Sequence, residues 1–358
     1  DSLTSLPDHM GQLTCLQSLS MFLVGQEEGY QVGELKELYL GGTLSIKRLE
    51  NVRNLEDAKK ANLKRKQELI SLELYWSKSN EENISKNVEE VLESLEPNSN
   101  LKKLSINFFQ GSKFPNWMLG LVLKNLVEIS FKDCERCEHL PPLGKLQSLK
   151  ILEIRRMCSL KYFNHGDYGD GESSFPALET LKFNEMPSLE EWAMVDRVEI
   201  CPCLRELVIS GCPKMTKLPF LPALERLTIE EGNEMLFRSV INLTWISYFR
   251  ITKCNLKILP DGLDNLFALK TLSLYRCPEL ENLSVLKNLH SLRTLSIWGC
   301  NSLTSLPVQG LQGLTSLTSL KITSCDKLIS LSDGMQYLTA LRAWSIQQCP
   351  EIQSFPEG

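Results

Sequence analysis

Cysteine is the residue type with the widest chemical reach in this 358-residue sequence, which carries twelve of them. Cys134-x-x-Cys137 and Cys201-x-Cys203 have the close spacing of half a zinc knuckle, and Cys158 could add a ligand. Structural zinc takes four ligands from paired knuckles, with the thiols ionised. Only parts of such a set stand here, and Cys134 also belongs to a recurring phrase that gives it another role. Asp167, Asp170 and Glu172 lie in the segment 164–174 (NHGDYGDGESS). They lack the spacing of a calcium loop, and the Gly, Asp and Ser content reads as a protruding loop that breaks the rhythm of the chain. His9, His139, His165 and His290 stand apart from any serine or cysteine nucleophile phrase. Neither G-x-x-x-x-G-K-[S/T] nor G-x-G-x-x-G occurs, so no phosphate cradle is encoded. The residues predict no catalytic set, no metal site and no cofactor site.

The remaining cysteines explain themselves by position. Seven close one short phrase: Phe131-x-x-Cys134, Ile209-x-x-Cys212, Ile251-x-x-Cys254, Leu274-x-x-Cys277, Ile297-x-x-Cys300, Ile322-x-x-Cys325 and Ile346-x-x-Cys349. A residue that returns at one position of successive repeats forms a column, and a buried thiol packs there as a small apolar group. A column of unpaired thiols predicts a reducing compartment, the cytoplasm or the nucleus. That argues against secretion, although Asn83-Ile-Ser, Asn242-Leu-Thr and Asn282-Leu-Ser are sequons.

The elements that carry this column are written in the same phrase. Leu269-x-x-Leu272-x-Leu274 is followed by Leu292-x-x-Leu295-x-Ile297, Leu317-x-x-Leu320-x-Ile322 and Leu341-x-x-Trp344-x-Ile346, at steps of 23, 25 and 24 residues. Earlier copies start at Leu101, Leu126, Leu149, Leu178, Leu204 and Leu224, and the first is near Leu16-x-x-Leu19. The period and the pattern are those of leucine-rich repeats. In L-x-L the two apolar residues share one face of a strand and the residue between them faces the other way. Stacked copies predict an α/β solenoid of about fourteen repeats over 1–358. It is expected to curve as a horseshoe, with a parallel β-sheet on the concave face and loops or short helices on the convex side. The returns close with phrases such as Leu303-x-x-Leu306-Pro307 and Leu256-x-x-Leu259-Pro260, where proline suits an irregular path. Two returns read as helices, Glu56–Gln67 and Ser85–Glu96, the second ended by Pro97. Leu3-x-x-Leu6-Pro7 and Ile352-x-x-Phe355-Pro356 read as tails of repeats at either end, so a fragment of a longer array is expected.

Composition is ordinary for a folded chain, 42% hydrophobic and 23% charged, with a formal net charge of −5. That mild acidity offers no general attraction to nucleic acid or to anionic membranes. No apolar run is long enough to cross a bilayer.

Several phrases resemble the repeat domain of plant coiled-coil-type nucleotide-binding leucine-rich-repeat disease-resistance proteins. They are Gly41-Gly42-Thr43-Leu44-Ser45-Ile46 leading into Leu49-Glu50-Asn51-Val52, Phe114-Pro115-Asn116-Trp117, and 134–149 (CERCEHLPPLGKLQSL). The run 175–192 (FPALETLKFNEMPSLEEW) and Gly211-Cys212-Pro213 belong with them. The resemblance spans essentially the whole chain. It implies an intracellular immune receptor whose repeats restrain a nucleotide switch and recognise a pathogen effector or a guarded host protein. ATP or ADP would belong to the nucleotide-binding part, outside this sequence, so no cofactor is expected in this chain. The alternative is a substrate-recruiting repeat domain of an F-box ubiquitin ligase. Those repeats also carry Cys after the strand, but they continue with L-T-D and a helix, whereas these continue with x-x-L-x-x-L-P. An enzyme would need an appended catalytic domain.

The open positions of the repeats then suggest where a partner binds. In 247–253, 270–276, 293–299, 318–324 and 342–348 the residues between the leucines include Arg250, Lys253, Lys270, Arg276, Arg293, Lys321 and Arg342, and no acid. Tyr248, Tyr275 and Trp298 lie among them, and aromatics beside arginine are what interaction hot spots use. The units 179–185, 205–211 and 225–231 expose mostly glutamate, and 102–108, 127–133 and 150–156 are net positive again. The expected partner is a protein, with an intramolecular contact to the receptor's own nucleotide-binding domain as a second role. Nucleic acid and an integral membrane segment are not expected.

Overall fold

The computed structural model describes residues 6–78, 87–119, 121–163, 174–192, 200–331 and 333–352. The chain divides into two compact units: 1–189 with 193–202, and 190–192 with 203–358. The loop reading for 164–174 falls outside the described residues, except for Ser174, which forms a parallel bridge with Ile200.

In the first unit seven strands form a parallel ladder, each paired with the next: β1 (Met21–Leu23), β2 (Gly42–Lys47), β3 (Leu69–Tyr75), β4 (Lys103–Asn107), β5 (Glu128–Lys132), β6 (Ile151–Arg155) and β7 (Thr180–Asn184). Seven more do the same in the second unit: β8 (Glu206–Ser210), β9 (Arg226–Glu230), β10 (Tyr248–Thr252), β11 (Thr271–Tyr275), β12 (Thr294–Trp298), β13 (Ser319–Thr323) and β14 (Ala343–Gln347). The count matches the expected fourteen repeats. The two leucine positions of L-x-L stack strand on strand, as Leu207, Leu227, Phe249, Leu272, Leu295 and Leu320 in one row and Ile209, Ile229, Ile251, Leu274, Ile297 and Ile322 in the other. All are buried, and each such side chain contributes about 1.5–3 kcal/mol of transfer free energy. The residue between them faces the open side, so one period-2 phrase fixes both core and surface.

The first repeat departs from its predicted register. Phe22 pairs with Ile46, so Phe22 and not Met21 points inward in the first strand, and Ser20 is exposed. Leu16 and Leu19 are half-buried, while Phe22 and Val24 are fully inside. A one-residue slip exchanges the faces of a strand, and the bulkier Phe22 takes the inward place.

The returns are mostly 3₁₀ turns, with four short α-helices among the described residues. The predicted helix Glu56–Gln67 is shorter: α1 covers Leu55–Lys60 and is capped by Asn54, which accepts from the Asp57 amide at 2.9 Å. Asn62 then takes a left-handed conformation and a 3₁₀ turn follows over Leu63–Arg65. Asparagine tolerates that conformation, and the break lets Leu63 and Lys66 turn inward. Within the predicted Ser85–Glu96 helix, α2 covers Val88–Ser94; Ser85 and Lys86 lie outside the described residues. Two further helices, α3 (Glu234–Ser239) and α4 (Val308–Gln312), lie in returns read from the sequence as loops. Asn233 caps α3, accepting from the Leu236 amide at 2.9 Å.

A second column appears that the leucine pattern does not show. The residue just before the Cys position has a positive φ in repeat after repeat: Asp133, Arg156, Glu185, Gly211, Glu231, Lys253, Arg276, Gly299, Ser324 and Gln348. Each chain turns sharply out of its strand there. At Gly211 and Gly299 the turn falls on the one residue type without steric cost in that region.

Candidate protein-binding face

The cysteine column settles into this turn. Its thiols donate to the last carbonyl of their own strand, from Cys212 to Ser210 at 3.5 Å, Cys254 to Thr252 at 3.2 Å, Cys325 to Thr323 at 3.6 Å and Cys349 to Gln347 at 3.4 Å. A small weak donor thus satisfies a carbonyl at the strand exit. Burial pushes Cys134 and Cys254 up to about 12 and Cys325 up to about 11. Cys137 donates to the Gly111 carbonyl at 3.3 Å, and burial pushes it up as well. Thiols held protonated in this way neither attack nor ligate. Cys158 is half-buried and Cys203 exposed. Among the described residues no three His, Cys, Asp or Glu side chains cluster to hold an ion.

Most cations on the open face of the first unit are paired, though not Lys102 or Lys182 among the described residues. The paired ones reach carboxylates on the neighbouring strand: Lys103 to Glu128 at 2.7 Å, Lys132 to Glu153 at 3.1 Å, Lys150 to Glu179 at 2.8 Å and Arg155 to Glu185 at 2.8 Å. Arg156 joins Glu185 to Asp133. The hydrogen bonds from Arg156 and Arg155 hold the Glu185 carboxyl below its ordinary range. The net-positive reading of 102–108, 127–133 and 150–156 therefore describes one side of a cross-strand pairing pattern.

The second unit begins in the same way and then changes. Arg205 pairs with Glu225 at 3.3 Å, and Lys253 with Glu230 at 2.8 Å and Glu231 at 3.6 Å. The hydrogen bond from Lys253 keeps the Glu230 carboxyl low. Lys253, one of the residues expected to bind, is thus engaged within the chain. The other six cations expected to bind are not so engaged. Arg250, Lys270, Arg276, Arg293, Lys321 and Arg342 are exposed and, among the described residues, none lies within 4 Å of a carboxylate.

The sheet sets these six in rows. Lys270 and Arg293 enter adjacent strands, the Arg293 amide donating to the Lys270 carbonyl at 2.8 Å, and Arg342 stands two strands further along the same row. Arg250 and Lys321 share the central row with Ser273, Ser296 and Ser345. Arg276 stands at the strand exit on a left-handed backbone, with φ of 53°.

Aromatic rings complete the face. Tyr275 and Trp298 are paired neighbours on β11 and β12, and their rings stack at 4.1 Å with 14° between planes. The Arg276 guanidinium lies 4.8 Å from the Trp298 ring and 5.5 Å from Tyr275. Tyr248 sits between Arg226 at 4.2 Å and Arg250 at 6.0 Å. Each such contact contributes about 0.5–1 kcal/mol at an exposed site and, more importantly, holds the guanidinium in place. Arg226 is exposed and extends the basic band by one strand, into a unit the sequence reading grouped with the acidic middle. It could have been found by following the Tyr248 column back one repeat.

A parallel ladder of L-x-L strands with short returns defines a leucine-rich-repeat protein, a fold that serves protein interaction. Residues 32–157 match the family model described as R13L1/DRL21 LRRs, and residues 177–326 match that of the leucine-rich repeats of plant disease resistance protein RPS2-like chains. Disease resistance protein RGA2 of Solanum bulbocastanum is 40% identical over 267 residues, covering 71% of this chain and 27% of RGA2. RGA1 of the same species is 39% identical over 242 residues, covering 68% of this chain and 24% of RGA1. The chain belongs to the leucine-rich repeats of plant disease-resistance proteins. It spans about a quarter of the length of these relatives. Among solved structures, TLR13 in its complex with ssRNA13 aligns with a TM-score of 0.51 at 16% identity, over 94% of this chain and 55% of that one. Toll in the Drosophila Toll–Spatzle complex aligns with a TM-score of 0.51 at 15% identity, over 83% and 42%. Both likenesses concern the fold alone. None of the helices in the described residues is long and apolar enough to cross a membrane.

Proposed function

We propose that this chain is the ligand-recognition and autoinhibitory repeat domain of an intracellular plant immune receptor of the coiled-coil NLR type. It catalyses nothing itself and takes no cofactor; ATP or ADP belongs to the receptor's nucleotide-binding domain. Its open face in the second unit binds a pathogen effector or a guarded host protein. One observation carries this reading: the cross-strand ion pairs that engage most open-face cations elsewhere are missing, among the described residues, at Arg250, Lys270, Arg276, Arg293, Lys321 and Arg342. Six cations and the Tyr275–Trp298 stack are left facing solvent. Unpaired cations steer an acidic partner and set specificity, while the stacked rings supply apolar contact area. The resting receptor uses the same face against its own switch domain, and the cytoplasm or the nucleus is its compartment.

The test is a double substitution in the full receptor, Trp298→Ala with Arg276→Glu. Loss of pathogen recognition supports effector binding by this face. Constant, pathogen-independent signalling supports its role in holding the switch closed. A receptor that accumulates normally, recognises normally and stays silent at rest overturns both.

A further inference from the structure

Two large side chains outside the predicted site stand in the turns that lead into β10 and β11, the strand ends opposite Tyr275 and Trp298. Trp245 is 68% exposed and Phe267 is 59% exposed. Each lies in the tight turn that leads into a strand, closed by Ile246 N to Leu243 O at 3.2 Å and Leu269 N to Leu266 O at 3.0 Å. The two turns run side by side, because the Lys270 amide donates to the Ser247 carbonyl at 2.8 Å just beyond them. The two occupy neighbouring positions of this turn: in the other repeats Phe267 is matched by Thr244, His290, Thr315 and Thr339, and Trp245 by Ala268, Ser291, Ser316 and Ala340. The aromatic rim is therefore confined to the repeats of β10 and β11, next to Arg250 and Lys270. Tyr275 and Trp298 stand at the opposite end of the strands.

We infer that Trp245 and Phe267 form a second apolar anchor, and that the partner is an acidic polypeptide segment with an apolar residue at each end. The inference rests on the reading of this face as a protein-binding surface and adds the partner's chemistry and its span. From Lys270 to Arg276 a strand covers about 20 Å, at roughly 3.3 Å per residue. An extended segment of about six residues bridges the two rims, its carboxylates over the cations and its apolar ends against the rings. Charge complementarity selects an acidic occupant: among the described residues no carboxylate lies within 4 Å of Arg250 or Lys270. Aromatics of this size are unfavourable on a surface when so exposed, and here two stand in the repeats that carry Arg250 and Lys270, which have no acid partner among the described residues.

The experiment uses the full chain and a fluorescein-labelled peptide of about eight residues, glutamate in the middle and phenylalanine at each end. Its anisotropy titration is compared with an all-polar glutamate peptide, its lysine counterpart, and a single-stranded oligonucleotide of equal charge. The expected result is about tenfold tighter binding of the phenylalanine-ended acidic peptide than of the all-polar one. Trp245→Ser with Phe267→Ser should remove that tenfold difference and leave the all-polar peptide's binding unchanged. Equal thermal midpoints of the two proteins exclude a folding effect, since both side chains are exposed. If both acidic peptides bind equally, or the double variant keeps the difference, the anchor is overturned while the basic face survives. If no acidic peptide binds, or the lysine peptide or the oligonucleotide binds as tightly, the acidic-segment inference fails together with the basic-face reading beneath it.

Discussion

Lys66 shows how far one residue can depart from what its type suggests. It lies in a return but is only 3% exposed, and its ammonium donates to the Leu35 carbonyl at 2.7 Å and the Leu38 carbonyl at 2.6 Å. Those carbonyls close a 3₁₀ turn in the preceding repeat, so the lysine staples two coils together. Burial lowers its pKa from 10.5 to about 8. The unfolded chain then binds more protons than the folded one between those values, and stability rises with pH across that interval. Wild-type chain should gain denaturation midpoint relative to Lys66→Met as pH is raised from about 7.5 to 10.5, measured by urea unfolding. A difference that stays flat with pH would show that Lys66 is not desolvated. At this same scale the sequence proposes Tyr248, Tyr275, Trp298 and the cations as open-face residues from their places in and around the L-x-L phrase. It could not separate Lys253 from the others, because ion pairing depends on the neighbouring strand's Glu230.

Among the elements, the returns carry the information that the leucine phrase lacks. Helix α4 packs on the 3₁₀ return Ser284–Asn288 through two glycines. A Cβ on Gly313 would stand 1.4 Å from the Lys287 carbonyl oxygen, and one on Gly310 would stand 2.6 Å from that of Leu283. The His290 ring also meets the Gly313 carbonyl at 2.8 Å. Two backbones touch here, so no side-chain movement can make room. Gly313→Ala should destabilise the chain by about 2 kcal/mol or more, read as a lowered thermal midpoint, whereas Ala at the exposed Gln312 should change little. An unchanged midpoint for Gly313→Ala would mean that these returns are not in contact. The helix limits differ from the sequence expectation for a related reason. Asn62 ends α1 early because Leu63 and Lys66 must turn toward the preceding coil, a demand of packing and not of local propensity.

For the molecule as a whole, the thiols offer a test of the proposed reducing compartment. All twelve cysteines are free, eight of them buried, and those with large upward shifts are held in the protonated form. Denatured without reductant, the purified chain should react with about twelve equivalents of a thiol reagent, and slowly with most of them while folded. Recovery of few free thiols would contradict a reducing compartment. The chain is an anion overall, with a formal charge of −5, yet one face of its second unit is cationic. Net charge therefore says little about the partner, whose encounter is governed by the local field and screened within about 8 Å at physiological salt.

The repeat itself was determined by sequence. A phrase recurring at intervals of 20 to 29 residues from Leu104 onward, with two apolar positions two apart, requires stacked strands with an apolar inner face and a polar outer one. The number of strands, the cysteine column and the identity of the open-face residues all follow from that period, because a side chain's face is a local property of the strand. The tertiary structure decided what depends on the neighbour in the next coil. It set the register of the first strand, where Phe22 and not Met21 points inward, and the breaks in the return helices. It joined Arg155 and Arg156 to Glu185, and Lys253 to Glu230. It also stacked Tyr275 on Trp298 and set the turns of Trp245 and Phe267 side by side. These are distances between residues about 20 to 30 positions apart, and no local rule of the chain specifies them.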